Sequence, residues 1–175
     1  GDSRAVDALA ILLRDSNEKD DIRKDALKSL RKIGDKSAMP AIIDALRDND
    51  KNIREEAAKA LDKLGDSSAV PALILALEDV EDDVREEAAE TLGELGDKTA
   101  IPALLKALND VDNKVRMKVI AALAKIGDES TLEALKKIAE EDVDIHIRAI
   151  ANEAIKLIDK RRTQNGELVL SLIHI

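Results

Sequence analysis

The chain has 175 residues, of which 45% are apolar, and it contains no Phe, Tyr or Trp. Its length suffices for one domain with a core, and that core has to be built from Ala, Leu, Ile and Val. The missing aromatic residues remove the usual interface anchors and base-stacking platforms. With 28 Lys and Arg against 37 Asp and Glu, the net charge is −9. This charge argues against nucleic acid as a partner.

The sequence contains no cysteine, which excludes a disulfide scaffold, a thiolate zinc site and a cysteine nucleophile. It also has no N-terminal apolar signal segment and no run of about 18 apolar residues, so nothing marks secretion or membrane spanning. We therefore expect a cytoplasmic protein without a membrane partner.

A 31-residue repeat runs along the chain. Gly-Asp pairs begin at residues 1, 34, 65, 96 and 127, and the same spacing separates two further sets of residues: Pro40, Pro71 and Pro102, and Arg54, Arg85 and Arg116. The repeat defines units 1–33, 34–64, 65–95, 96–126 and 127–160. The first unit carries two extra residues, which we place in "SNEKDD", and the last carries one, which we place in "EEDVD".

Each unit predicts a pair of helices. In unit 2, the first helix follows from the helical spacing of Ala38, Ile42, Ile43 and Leu46, with Ser37 as its predicted cap and Pro40 in its first turn. The second helix follows from the spacing of Ile53, Ala57, Leu61 and Leu64. Gly65 is predicted to end it in the left-handed conformation, and Asp66 to lie near the positive end of the next helix.

A single hairpin of this kind cannot bury its apolar face alone, so we predict that the five hairpins stack into one continuous core. The predicted fold is all-α, a right-handed α-solenoid with a convex and a concave face. One repeat domain covers 1–160, and 161–175 is a non-repeat tail.

The repeated pattern GD-x-x-A-[VIM]-P-A-L-[IL]-x-A-L-x-D-x-x-x-x-[VI]-R-x-x-A-A-x-x-L resembles the HEAT-like repeats of the phycobilisome-lyase type. The resemblance implies a rigid surface that binds other proteins. Some members of that family assist the attachment of bilin chromophores to phycobiliproteins, usually with a partner subunit. Other HEAT-repeat enzymes bind two irons through His-Glu pairs, but neither His146 nor His174 is followed by Glu.

The resemblance also implies a ladder of charges between units, in which an aspartate precedes each arginine by six residues. The pairs with this spacing are Asp48 and Arg54, Asp79 and Arg85, Asp110 and Arg116, and Asp142 and Arg148. In unit 1 the corresponding residue before Arg23 is Asn17, so we expect the ladder to be incomplete there.

We find no pattern that indicates catalysis. The chain has no phosphate-cradling Gly-x-Gly loop, and its two histidines are far apart in sequence. The carboxylates of "EDVEDD" (78–83) lack the turn glycine and terminal Glu of a calcium-binding loop. We therefore expect no catalytic residue, no cofactor and no metal.

The most informative surface is the outer side of the second helices, which we expect to line the concave face. At offsets −3, +1, +2, +5 and +9 from the arginine, unit 3 is wholly acidic, and we call its residues the acidic stripe: Asp82, Glu86, Glu87, Glu90 and Glu94. The flanking residues are Lys59, Lys63, Met117, Lys118 and Lys125. These charges either pair weakly between units, or the acidic stripe receives a basic segment of a protein partner.

The repeat pattern stops after Arg162. We interpret "TQNG" (163–166) as a turn and the apolar "ELVLSLIHI" (167–175) as a segment that has to be buried, whether it belongs to the repeat domain or is foreign to it. The apolar outward positions of unit 5 offer it a docking surface in the same chain or in a second copy: Ile145, Ile150 and Leu157. Docking in a second copy amounts to self-association.

The predicted function is a non-enzymatic scaffold that binds another protein on the concave face of the solenoid. One alternative is an accessory subunit of an enzyme, such as a bilin-lyase-like component. A second alternative is a designed or consensus-influenced solenoid without a natural partner.

Overall fold

The computed structural model contains five consecutive helical hairpins. It describes residues 3–173, and the side chains of residues 4–164, so Gly1-Asp2, His174 and the side chains of the predicted apolar segment 167–175 lie outside the described residues. The first helices are α1 (Ser3–Arg14), α3 (Met39–Ala45), α5 (Val70–Ala76), α7 (Ile101–Ala107) and α9 (Leu132–Glu141). The second helices are α2 (Asp20–Ile33), α4 (Lys51–Leu64), α6 (Asp82–Leu95), α8 (Asn113–Ile126) and α10 (Ile145–Ile173).

The Gly-Asp turns join one hairpin to the next. Gly65 ends α4 with φ 60°, in the left-handed region that glycine adopts without steric cost, and its N–H bonds to carbonyls of the last turn. The side chain of Asp66 then accepts a hydrogen bond from the N–H of Ser68 and caps the short 3₁₀ turn that leads into α5. The predicted cap, Ser37 in unit 2, was wrong, because the cap there is Asp35 and Ser37 donates its N–H to it.

The second helices form a continuous layer in which α4, α6 and α8 each pack against the second helix before and after them. Burial depends on this neighbour. In units 2 to 5 the apolar residue before the ladder arginine is 0% exposed, whereas in unit 1 the equivalent Ile22 is 39% exposed. The described residues thus form an all-α repeat solenoid without a strand. Its handedness stays a prediction.

Helices α6 and α8 approach each other closely at Gly93. A Cβ placed on Gly93 would lie 2.8 Å from Cα and 2.9 Å from Cβ of Ala122, closer than a carbon-carbon contact allows. Glycine is therefore required at this point of α6 by packing, although it is a poor helix former.

Helix α10 differs from the other second helices in its length. It has 29 residues, and the other four have 14 each. The predicted turn at "TQNG" was wrong, because the backbone of 163–166 is helical. At a rise of about 1.5 Å per residue, the backbone at 167 lies about 15 Å beyond Leu157 along one helix, so this helix does not fold 167–173 back onto Leu157. No helix in the described residues is long and apolar enough to cross a membrane.

We predict that Gly93→Ala lowers the free energy of unfolding by about 1–3 kcal/mol, because overpacking at Ala122 outweighs the better helix propensity of alanine. Urea denaturation followed by circular dichroism measures this change. Lys63→Ala, at an exposed position of α4, is the control and should change the free energy by less than about 0.5 kcal/mol. A Gly93→Ala variant more stable than the native chain would contradict the close packing.

Candidate protein-interaction surface

The predicted ladder is formed by arginines that each connect two units. Arg54 Nε and Nη2 donate to the two carboxylate oxygens of Asp79 in the next unit, at 2.7 and 2.9 Å. Its Nη1 donates to the backbone carbonyl of Asp48 in its own unit, at 2.8 Å. The same arrangement recurs at Arg85 with Asp110 and at Arg116 with Asp142. Each arginine therefore holds its own turn and the next one together.

The ladder aspartates are positioned by their own turns as well. Asp110 Oδ1 accepts the N–H of Asp112 at 2.9 Å while both carboxylate oxygens bind Arg85. Burial raises the pKa of Asp110, but the hydrogen bonds from Arg85 and from the N–H of Asp112 outweigh burial, so the pKa lies below its usual value. The side chains are nearly buried, at 12% exposure for Arg85 and 9% for Asp110.

Unit 1 joins the ladder although the six-residue spacing before Arg23 finds Asn17 and no aspartate. Arg23 pairs with Asp48 and donates to the carbonyl of Leu13, so the expected interruption at Asn17 was wrong. Asp15 takes the local geometry of a ladder aspartate, because its Oδ1 accepts the N–H of Asn17 at 3.0 Å. The two extra residues of unit 1 thus lie between Asp15 and Arg23.

At the other end of the ladder, Arg148 keeps only half of the pattern. Its Nη1 donates to the carbonyl of Asp142 at 2.7 Å. In the part of the chain that the structure describes, no carboxylate pairs with its remaining guanidinium nitrogens. Arg148 is therefore the last ladder arginine of the described residues, and it makes no pair with a carboxylate among them.

We use the term second-helix face for the exposed side of α2, α4, α6, α8 and α10, which carries the acidic stripe. Lysines of both neighbouring units lie against the stripe: Lys118 Nζ is 2.5 Å from Glu90 Oε2, Lys59 is 3.9 Å from Glu87, and Lys125 pairs with Glu94. The stripe thus bridges α4, α6 and α8, as expected if its charges pair between units. Lys63 is exposed in α4.

The lysines do not neutralise the acidic stripe fully. Within the described residues, the side chains of Glu86 and Asp82 form no ion pair and no hydrogen bond. Glu86 acts on Lys118 only through its charge at a distance. Burial, together with the charge of Glu90, raises the pKa of Glu87 against the opposing effect of Lys59. Burial and the nearby Glu94 and Glu90 likewise raise the pKa of Asp62 in α4. A further cation on this face would therefore be stabilised.

Glu56 lies at the outward offset +2 from Arg54 but is not on the surface. Glu56 is 7% exposed, because Arg31 of unit 1 lies over it with Nε 3.1 Å from Glu56 Oε1. This distance is short enough for an ion pair, but the Nε–H bond of Arg31 does not point at Glu56 Oε1, so this oxygen accepts no hydrogen bond. The side chain pairs across units instead of facing solvent.

The second-helix face becomes apolar toward the last units. Met117 is 40% exposed, Leu157 53% and Ile145 65%, and Ile150 is half-buried. Met117 and Ile150 line a shallow groove of about 280 Å³ together with four further residues: Glu86, Lys114, Lys118 and Ala121. An apolar floor beside a free carboxylate suits a peptide that carries both apolar and cationic side chains.

The described residues contain no group of three or more His, Asp or Glu arranged to hold a metal ion. His146 is exposed at the start of α10, and its backbone N–H donates to Asp144 Oδ1 at 2.8 Å. His174 lies outside the described residues.

Residues 6–90 and 70–156 match the family model described as HEAT repeats. The chain therefore belongs to the HEAT-repeat family. No curated protein matches the sequence.

Among solved structures, the chain is similar to the complex of CpcE and CpcF of phycocyanin lyase from Nostoc sp. PCC7120. The identity is 29%, the match covers 97% of this chain and 70% of the other, and the TM-score is 0.76. It is also similar to an engineered protein at 24% identity, covering 91% and 81% of the two chains with a TM-score of 0.64. A designed armadillo repeat protein in complex with the peptide (KR)4 matches at 18% identity, covering 89% and 82%, with a TM-score of 0.64.

We predict that Asp110→Asn lowers the free energy of unfolding by about 2–3 kcal/mol, because it leaves the nearly buried guanidinium of Arg85 without its counter-charge. The matched control is Asp44→Asn, which breaks an exposed inter-unit pair with Arg14 at 2.7 Å. This change should cost less than about 1 kcal/mol. Urea denaturation of both variants measures the difference, and equal losses would contradict a special role for the ladder.

Proposed function

We propose that the protein is a non-enzymatic scaffold that binds a protein partner on its second-helix face. The observation that carries the proposal is the arrangement of this face on a layer of helices held in register by the ladder. A surface fixed in this way loses little conformational entropy on binding. The stripe, the flanking lysines and the apolar positions of units 4 and 5 together provide charged and apolar contacts along one side.

The partner chemistry that fits the acidic stripe is a basic segment. Glu86 and Asp82 lack ion pairs within the described residues. The pKa of Glu87 is raised mainly by burial, and the neighbouring charge of Glu90 adds to this effect against Lys59 and Lys118. A lysine or arginine of a partner would supply a counter-charge to Glu86 and Asp82 and speed the encounter at low salt. The groove at Met117 and Ile150 lies next to Glu86 and would accept an apolar side chain of the same segment.

The competing interpretation is that the charged residues of this face only pair between units. Lys118 with Glu90 and Lys125 with Glu94 support that interpretation. The two interpretations differ in what they expect of the carboxylates without ion pairs. If pairing between units is the whole role of the face, then removing its charge changes stability slightly and peptide binding not at all.

We predict that changing Glu86, Glu87, Glu90 and Glu94 together to Gln weakens binding of a fluorescent (Lys-Arg)4 peptide at least about tenfold at low salt, because the stripe then lacks its carboxylates. Fluorescence anisotropy titrations measure the affinity, and circular dichroism verifies the fold. Raising the salt concentration should weaken binding to the native chain and leave the variant nearly unchanged.

The matched control replaces four exposed carboxylates that lie in the first helices or just after them with amides: Asp44, Glu78, Glu133 and Glu140. It removes the same net charge from the other side of the solenoid. Equal weakening in both quadruple variants would mean that net charge alone attracts the peptide, and it would reject the stripe as the binding site.

An accessory subunit of an enzyme is the second candidate function, and the similarity to the phycocyanin lyase complex over 97% of this chain favours it. If this function holds, we expect bilin attachment to phycocyanin only when the chain is combined with a second lyase-type subunit. Absorbance of the covalently attached bilin after denaturation measures the product. Product formation by this chain alone would contradict both the accessory role and the non-enzymatic scaffold.

A further inference from the structure

We propose that the partner binds at the end of the second-helix face where α6 and α8 begin. There, a short segment of the partner places an apolar side chain in the groove at Met117 and a cationic side chain against Glu86. This inference rests on the proposed function, and it names the part of the face that holds the partner and the side chains that the partner supplies. We call this part of the face the rim, and it consists of Asp82, Glu86, Lys114, Met117 and Ile150.

The groove at Met117 gives the rim its apolar contact. It measures about 280 Å³, and its apolar lining comes from Met117 and Ala121 of α8 and from Ile150 of α10. Pockets that hold drug-sized ligands measure about 300–1,000 Å³, so this groove suits a side chain of a peptide. Its walls belong to α6, α8 and α10, so described helices bound it on both sides.

Two further apolar side chains are exposed in the turns that lead into α6 and α8. Val80 is 86% exposed and Val111 is 92% exposed. Both belong to units with a described hairpin on each side, so their exposure does not depend on what precedes or follows the described residues. In the second halves of α6 and α8, which are described over their full length, no large apolar side chain is exposed. The exposed apolar side chains of these helices and turns therefore lie toward the rim.

The carboxylates of α6 divide in the same way along the helix. Glu90 and Glu94, in its second half, pair with lysines of α8. Asp82 and Glu86 form no ion pair and no side-chain hydrogen bond within the described residues. Asp82 lies in the first turn, where the helix dipole alone favours a carboxylate, but Glu86 lies beyond that turn. The negative charge that no lysine compensates is therefore beside the groove.

One lysine of the rim opposes this charge. Lys114 lines the groove and forms no ion pair in the part of the chain that the structure describes. Lys118, the other lysine at the groove, is 2.5 Å from Glu90. The two free carboxylates thus outnumber the one free ammonium group. Because Glu86 itself lines the groove, the site favours a segment whose cationic and apolar side chains are close together over a purely basic segment.

The probes are two fluorescent peptides of equal length and charge, (Lys-Leu-Arg-Leu)2 and (Lys-Ser-Arg-Ser)2. We expect the native chain to bind the leucine peptide at least about tenfold more tightly in anisotropy titrations, because only leucine buries apolar surface in the groove. Met117→Ser should reduce this preference at least about threefold. The matched control is Leu75→Ser, which removes an exposed apolar side chain from a first helix and should leave the preference unchanged.

The charge variants compare two pairs of carboxylates on one helix. Asp82→Asn with Glu86→Gln should weaken binding of the leucine peptide at least about tenfold. Glu90→Gln with Glu94→Gln removes the same charge from the paired positions and should weaken binding less than about threefold. Lys114→Gln should strengthen binding at least about twofold, because it removes the free positive charge of the rim. Circular dichroism verifies that each variant is folded.

The results separate failure of the rim from failure of the proposed function. Equal weakening by the two carboxylate pairs would refute the rim and leave the proposed function standing, provided that the quadruple stripe variant still binds (Lys-Arg)4 more weakly than the native chain. Equal binding of the leucine and serine peptides, or a preference that survives Met117→Ser, would refute the apolar contact. A native chain that binds none of the three peptides would overturn the proposed function and the rim together.

Discussion

Burial of each hairpin by the next one is the constraint on which the rest of the structure depends. A seven-residue helix such as α5 paired with a 14-residue helix such as α6 cannot enclose its own apolar residues. Ile22 in the first described hairpin is 39% exposed, whereas the equivalent Ile53, which lies between two described hairpins, is completely buried, and this difference reflects what a neighbouring hairpin contributes. The core contains no aromatic side chain, so adjacent helices can approach each other closely. The closest approach described here is that of Gly93 in α6 to Ala122 in α8. Stability is therefore shared between adjacent units.

The ladder of arginine–aspartate pairs fixes the register in which adjacent hairpins pack. Apolar contacts alone tolerate small slips between helices, but a planar guanidinium that binds a carboxylate through two nitrogens accepts only one register. Arg85 also donates to the carbonyl of Asp79, so the register of the next unit is fixed relative to a turn of its own. Since this happens at successive units, the relative placement of the second helices is set along the solenoid, and so is the surface that they carry.

The sequence predicted the five hairpins and their turns because Gly, Asp, Pro and Arg recur at fixed spacing and each has a local physical reason. It failed where two units must be considered together. Counting six residues back from Arg23 finds Asn17, whereas alignment of α1 with the other first helices finds Asp15. Glu56 fits an outward position within its own helix, and only the presence of Arg31 in the neighbouring unit buries it. The helical backbone of 163–166 was missed because Gly166 suggested a turn.

The two sets of charges in this protein differ in how readily they exchange partners. The ladder pairs are nearly buried, so separating them leaves an uncompensated charge. The pairs of the acidic stripe are more exposed, with 41% exposure at Glu90 and 33% at Lys118, and pairs of that kind contribute about 0–1 kcal/mol. A cationic side chain of a partner can therefore replace a lysine on the stripe at little cost in stability. Under the proposed function, the ladder would keep the register of the helices during this exchange, so the second-helix face would bind a partner without unfolding of the helices that carry it.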